Sequence, residues 1–243
     1  MVFGLFSKEK SLRKTIERAT NKLAQQPDRW GALEKLKEDG SEEALFGLCK
    51  RFGVTSGKAV EDEQEKHWVM EALVANGGGS LAPVTRYLKS AEHLSFPLRV
   101  IERVGNHEQT LKVADELFAS EAPGYVRMPE RRIDLIHWFS EWKGATEDEA
   151  VSRLAPYVTD FDENSRFAAI QGMAGRDGEK IAPSLIAALL RPEEESGRIK
   201  RTIVEVLAKA KAPLGDKAKE IAAALAGSLS DDFKVDGGIL KKR

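Results

Sequence analysis

The chain has 243 residues, 38 Lys and Arg against 39 Asp and Glu, and a formal net charge of −1. That balance lacks the basic footprint of a general nucleic-acid or anionic-surface binder. A single cysteine, Cys49, excludes an intramolecular disulfide and a cysteine-built zinc site. At 42% hydrophobic and 7% aromatic, the composition suits a folded helical protein and is too apolar for a disordered one.

The first six residues, Met1-Val2-Phe3-Gly4-Leu5-Phe6, form too short an apolar run for a secretory signal. No stretch approaches the roughly 20 apolar residues of a membrane-spanning helix, so the expected location is cytoplasmic. Phe3, Leu5 and Phe6 precede Lys8, Lys10, Arg13, Lys14 and Arg18. That pattern leaves three uses open: folding back as part of a cap, docking in a partner's groove, or touching an anionic membrane. Phe3 and Phe6 therefore stand among the candidate partner-binding residues. Leu12, Ile16, Ala19 and Leu23 follow at helical spacing and predict a capping helix, with tip and cap together spanning residues 1–27.

From residue 28 onward one feature recurs six times, a pair of bulky apolar residues at i and i+3. The pairs are Leu33/Leu36, Met70/Leu73, Ile101/Val104, Ile136/Phe139, Ile170/Met173 and Ile203/Val206, with first members 37, 31, 35, 34 and 33 residues apart. A breaker follows each: Gly40, Gly77, Gly105, Gly144, Gly178 and Pro213. Second helical stretches come next, carrying Leu45/Leu48/Phe52, Val84/Tyr87/Leu88, Leu111/Ala114/Leu117/Phe118, Val151/Leu154/Val158, Leu185/Ile186/Leu189 and Ile221/Leu225/Leu229. Thr146-Glu147-Asp148-Glu149 reads as a capping box. Ser41-Glu42-Glu43 places acids at a helix N-terminus, where the dipole favours them. A two-helix hairpin cannot bury its apolar stripe alone, so six such units are expected to stack into a curved rod over residues 28–230.

Two connectors depart from the repeat. Gly53–Val60 lengthens the first unit, and Glu121–Pro129 is a Pro- and Gly-marked loop presenting Tyr125, Arg127 and Met128. Both join a second helix to the next first helix, so both are expected on one edge of the rod, where loops on a rigid scaffold carry function. The tail, residues 231–243, holds Asp236-Gly237 between short apolar runs, a hairpin-turn signal.

The segment Asp162-Glu163-Asn164-Ser165-Arg166-Phe167-Ala168-Ala169-Ile170-Gln171-Gly172-Met173-Ala174 resembles the first helix of a HEAT repeat. Glu179-Lys180-Ile181-Ala182-Pro183-Ser184-Leu185-Ile186-Ala187-Ala188-Leu189-Leu190 resembles the second, and Ser80-Leu81-Ala82-Pro83-Val84 echoes its start. The fit is good for units two, four and five and loose for the others. The resemblance, to HEAT-repeat proteins of the bacterial type, implies an all-α fold: a right-handed α-solenoid of about six hairpins with an N-terminal capping helix and a short C-terminal tail or hairpin. Such armadillo-like proteins include scaffolds, bilin lyases, alkylbase DNA glycosylases and di-iron hydroxylases, so the resemblance does not settle function.

A search for chemistry finds little. HEAT-like hydroxylases build their metal site from several His-Glu pairs, and this chain has one, His107-Glu108; His67 and His137 fall in first helices and read as packing residues. Cys49, between Leu48 and Phe52, reads as core rather than as an activated thiolate. Gly77-Gly78-Gly79-Ser80 reads as a repeat turn, and Trp138 and Trp142 as core aromatics rather than a damaged-base reader. Residues 1–29 carry a net +4, but residues 38–65 and 145–165 each carry −5, which opposes phosphate along the rod. The expectation is a scaffold or adaptor that binds another protein, with no catalytic, metal or cofactor site and no specific nucleic acid. The alternative is a HEAT-like enzyme of the DNA glycosylase or bilin lyase kind. The candidate partner-binding residues are Tyr125, Arg127, Met128, Arg86, Lys89, Arg153, Phe3 and Phe6, of mixed charge, which favours a protein ligand.

Overall fold

The apolar pairs fold as the helices they predict. A computed structural model describes residues 2–243, with side chains from Lys8 onward. The chain divides into two compact units, Met1–Leu117 and Phe118–Arg243.

In the first unit, α1 (Val2–Ala19) is followed by α2 (Gln26–Asp39), α3 (Glu42–Cys49), α4 (Ala59–Ala75), α5 (Leu81–Leu88), α6 (Ser95–Val104) and the start of α7 (His107–Ser120). α1 packs on α2 and α3, while α2 lies beside α4, α4 beside α6, and α3 beside α5. The i,i+3 pairs face inward: Leu33, Leu36, Leu73 and Ile101 are fully buried, each side chain contributing about 1.5–3 kcal/mol by leaving water. Ser41 caps α3 by accepting a hydrogen bond from the Ala44 amide, with Glu42 and Glu43 in the first turn. Two expectations are corrected here. Leu23 lies beyond the end of α1 and is 87% exposed, so it does not extend the stripe of Leu12, Ile16 and Ala19. His67 is exposed rather than buried; its ring stands edge-on to Phe96.

The second unit holds α8 (Glu130–Glu141), α9 (Glu147–Leu154), α10 (Glu163–Gly172), α11 (Gly178–Leu189), α12 (Gly197–Lys209), α13 (Ala218–Ala224), α14 (Ser228–Asp232) and the strands β1 (Phe233–Asp236) and β2 (Ile239–Lys242). α8 lies beside α10, α10 beside α12, and α11 against α12. The Thr146/Glu149 capping box closes in both directions. β1 and β2 pair antiparallel with Val235 opposite Leu240, around Gly237 and Gly238 at φ 62° and 77°. Phe233 and Leu240 join the buried cluster of this unit, so the hairpin is docked rather than loose.

Three details differ from expectation. Gly178 is the first residue of α11 rather than a breaker; the chain turns at Gly175, φ 81°. The reason for glycine at 178 is proximity, because a Cβ there would lie 2.7 Å from the Ala210 carbonyl oxygen and 2.9 Å from Ala212 Cα. Leu225 and Leu229 do not continue the last second helix, since α13 ends at Ala224 and Leu229 lies in α14 after Gly227, φ 55°. His137 is solvent-exposed on α8.

Candidate functional site

The second unit fastens its longest connector with one buried cation. Arg132 on α8 is 1% exposed and donates from Nε to the Glu121 carbonyl (3.0 Å), from Nη2 to Ala122 (2.6 Å) and from Nη1 to Gly124 (2.8 Å). Its charge is balanced by Asp160, whose carboxylate accepts from Nη1 at 2.8 and 3.0 Å and also from the Gly124 amide at 3.2 Å. Gly124 sits at φ 138°, a conformation that glycine adopts without a Cβ penalty. The Tyr157 hydroxyl donates to the carbonyls of Glu121 and Phe118, and burial pushes its pKa up to about 12. Three loop carbonyls therefore acquire charge-assisted donors, and the loop 121–129 is held to the helices beneath it.

The same device recurs 34 residues later in the same unit. Arg166 on α10 lies 2.8 Å from Glu194 and donates to the carbonyls of Asp160 and Phe161. In both cases the carboxylate stands 28 residues after its arginine and accepts the amide two residues on, Asp162 for Asp160 and Ser196 for Glu194. Buried ion pairs of this kind stabilise geometry more than they add net stability, since desolvation offsets most of the attraction.

What the clamps present is an exposed aromatic pair beside an acidic groove. Tyr125 and Phe161 are 75% and 69% exposed, with ring centroids 5.3 Å apart and planes at 87°. Phe161 also walls a groove of about 910 Å³ that runs past Asp160, Glu163, Glu193, Glu194 and Glu195 against Arg166 and Arg191. Arg132 and Arg166 neutralise Asp160 and Glu194. Glu163 lies 3.6 Å from Arg198, and Glu193 lies 3.8 Å from Arg191 on the exposed rim. Glu195 has no ionic partner among the described residues, so the groove carries excess negative charge.

Of the sequence candidates, Tyr125, Arg127 and Met128 are exposed together on the clamped loop, Met128 at 68%. Arg153 is half-buried on α9; it donates to the Glu149 carbonyl and stacks 5.6 Å over the Phe139 ring. Arg86 and Lys89 belong to the other unit. Arg86 is engaged in a bidentate pair with Glu43, at 2.7 and 3.1 Å, and lies 3.8 Å over the Phe46 ring, whereas Lys89 is exposed. Phe3 and Phe6 fall among residues 1–7, whose side chains lie outside the described ones. Phe161 is not among the sequence candidates, although an aromatic flanked by Asp160 and Asp162 in an inter-helix connector is a readable signal. The buried arginines are not among the sequence candidates, although each stands immediately before an apolar helix residue, Arg29 before Trp30, Arg132 before Ile133 and Arg166 before Phe167.

The reactive groups are arranged as follows. Cys49 is fully buried, and desolvation pushes its thiol up to about 12. Trp138 and Trp142 are each 7% exposed and stack at 5.7 Å within the core. Among the described residues no three His, Cys, Asp or Glu side chains converge as metal ligands would, and no helix is long and apolar enough to cross a membrane.

No family model matches the chain, and no curated protein does. Among solved structures it is similar to human deoxyhypusine hydroxylase in complex with glycerol, at 14% identity, covering 93% of this chain and 91% of that one, with a TM-score of 0.32. The expectation that the chain lacks catalytic activity is corrected on this finding: the protein it matches is an enzyme, and absence of activity is withdrawn as a property of this chain. At that identity and TM-score the likeness transfers no reaction and no residue role.

Proposed function

We propose that this protein recognises a basic, aliphatic-rich segment of a partner protein through the edge formed by Tyr125, Met128 and Phe161 and the groove beside it. The observation that carries the reading is the exposed Tyr125–Phe161 pair held on two clamped connectors at the rim of a net-acidic groove. Exposed aromatics on a rigid mount lose little entropy on binding and are the residue types that dominate recognition sites. A partner's Lys or Arg side chain would lie against a ring face, with Glu193 and Glu195 balancing its charge; such cation–π contacts contribute about 0.5–1 kcal/mol when exposed. The same unit already uses that contact internally, Arg198 lying 3.8 Å over Phe167. In this reading the six hairpins stack as a right-handed HEAT-like solenoid whose inter-unit connectors form the recognition edge, in a cytoplasmic protein. The partner's charge, not its identity, is what the groove selects.

The test is fluorescence anisotropy of a labelled peptide alternating Lys or Arg with Leu. Wild type should bind saturably, and Tyr125→Ser with Phe161→Ser should weaken binding at least tenfold. Glu193→Lys with Glu195→Lys should do the same and remove its salt dependence. Equal affinity for an acidic peptide of the same length, or unchanged affinity in both variants, would refute the assignment.

A further inference from the structure

The N-terminal run Val2-Phe3-Gly4-Leu5-Phe6, with the cations that follow it, has no part in the clamped connectors or the acidic groove. On α1, Ile16 packs against Gly47 of α3 and Ala19 is fully buried. Lys10, Lys14 and Arg18 fall at i, i+4 and i+8, all exposed and without an ion pair among the described residues. Like charges at that spacing destabilise a helix unless opposite charge covers them.

The second unit holds a complementary surface, a groove of about 500 Å³ along α11. Ala182, Pro183, Ile186, Ala187 and Leu190 line one side at the spacing of a single helical stripe. Pro183 and Ala187 are exposed and Leu190 is half-buried. The path of the chain explains why this stripe stays open. α3 lies beside α5, the second helix that follows it, but α13 starts only at Ala218, has seven residues and packs on β1. The far wall, Pro213 and Leu214, is fixed by the Leu214 amide, which donates to the Gly238 carbonyl at 2.9 Å. The groove is therefore built before anything enters it.

Its charged lining is acidic, Glu179, Asp216 and Glu220 against Lys217. Lys217 is held by Glu220 at 2.9 Å, which leaves Glu179 and Asp216 without an ion pair among the described residues. Lys180, next to Glu179, is taken by Asp148 at 2.8 Å.

We propose that this groove receives the N-terminal segment of a second copy of the chain. Phe3, Leu5 and Phe6, whose side chains lie outside the described residues, enter the apolar stripe, and the cations of residues 8–14 stand beside Glu179 and Asp216. Apolar residues followed by cations match an apolar floor edged by carboxylates, the pattern of a helix docking in a groove. Every copy carries both halves, so the contact is head to tail and joins different surfaces of the two copies.

The experiment is sedimentation velocity of the full chain over a wide concentration range. Wild type should associate as concentration rises, less so at high salt. Two variants break opposite halves, Phe3→Ser with Phe6→Ser in the segment and Ala187→Lys on the exposed side of the groove. Each alone should stay monomeric, and an equal mixture should form a heterodimer, because one retains the groove and the other the segment. A labelled peptide of residues 1–14 should bind the Phe3→Ser, Phe6→Ser chain saturably, and adding Ala187→Lys to that chain should weaken binding at least tenfold. This arm needs no stable segment variant of the groove's own partner. A monomeric wild type at every concentration, or a mixture that stays monomeric, would overturn the proposal. Peptide binding abolished by Phe161→Ser instead of Ala187→Lys would give the segment to the acidic groove. Co-sedimentation of the wild type with phosphatidylserine vesicles in place of self-association would give it to a membrane, and either result overturns the proposal.

Discussion

At the scale of single residues, Arg132 decides whether the recognition edge exists. Its guanidinium holds three loop carbonyls and one carboxylate at once, a geometry that an ammonium cannot copy. Arg132→Met leaves Asp160 buried without its cation, which costs about 3–5 kcal/mol. Urea unfolding followed by fluorescence should show that loss, and Arg132→Lys should recover only part of it. A midpoint unmoved by Arg132→Met would mean that the clamp is ornamental. Asp62 offers a pH test in the other unit. Burial raises its pKa, but hydrogen bonds from Lys66, the Ser56 amide and Arg51 outweigh that and lower it from 3.8 to about 2. A depressed carboxylate contributes stability that is fully present above its unfolded pKa and lost as pH falls through the folded one. The stability of this unit should therefore fall between about pH 4 and pH 2, and Asp62→Asn should flatten that slope while lowering stability at pH 7.

At the scale of elements, most of the structure was readable because helical hairpins advertise themselves. The i,i+3 pairs, the Thr146 capping box, the Ser41 cap and the Asp236-Gly237 turn each state a local rule that nothing distant overrides. Where the reading failed, a tertiary contact or a backbone break had decided the outcome. Glycine usually breaks a helix, yet Gly178 opens α11 against the Ala210–Ala212 turn. That difference is measurable. Gly178→Ala forces backbone apart and should lower the unfolding midpoint by an amount equivalent to about 1–3 kcal/mol. Gly197, the first residue of α12, has nothing within 4 Å of the added carbon. Gly197→Ala should be neutral or stabilising by about 0.4–1 kcal/mol. Similar losses from both would show that helix propensity, not proximity, governs the two sites.

At the scale of the whole chain, the helical class was legible and the polar skeleton only in part. Apolar periodicity marked the helices that carry the i,i+3 pairs. The arginine–carboxylate pairs recur with the same 34-residue step, Arg132 to Arg166 and Asp160 to Glu194, but an Arg beside an apolar residue does not by itself state that it is buried. In the first unit the equivalent Arg29 finds its partner on α4 instead, as Glu65, which also accepts Arg51 from the segment before α4, and Arg51 in turn reaches Asp62 on α4. Tyr125 and Met128 stand out in the sequence as loop residues, whereas the pairing of Tyr125 with Phe161 is made by the fold, which brings the two connectors into ring contact.

The central claim, that the clamped connectors of the second unit form a recognition edge for a basic segment, is tested most directly by hydrogen-exchange mass spectrometry of the full chain with and without the Lys/Arg–Leu peptide. Slower exchange should be confined to residues 121–129, 159–166 and 191–196 and should vanish in Phe161→Ser. Protection spread evenly over the chain, or centred on α1 to α5, would contradict the claim.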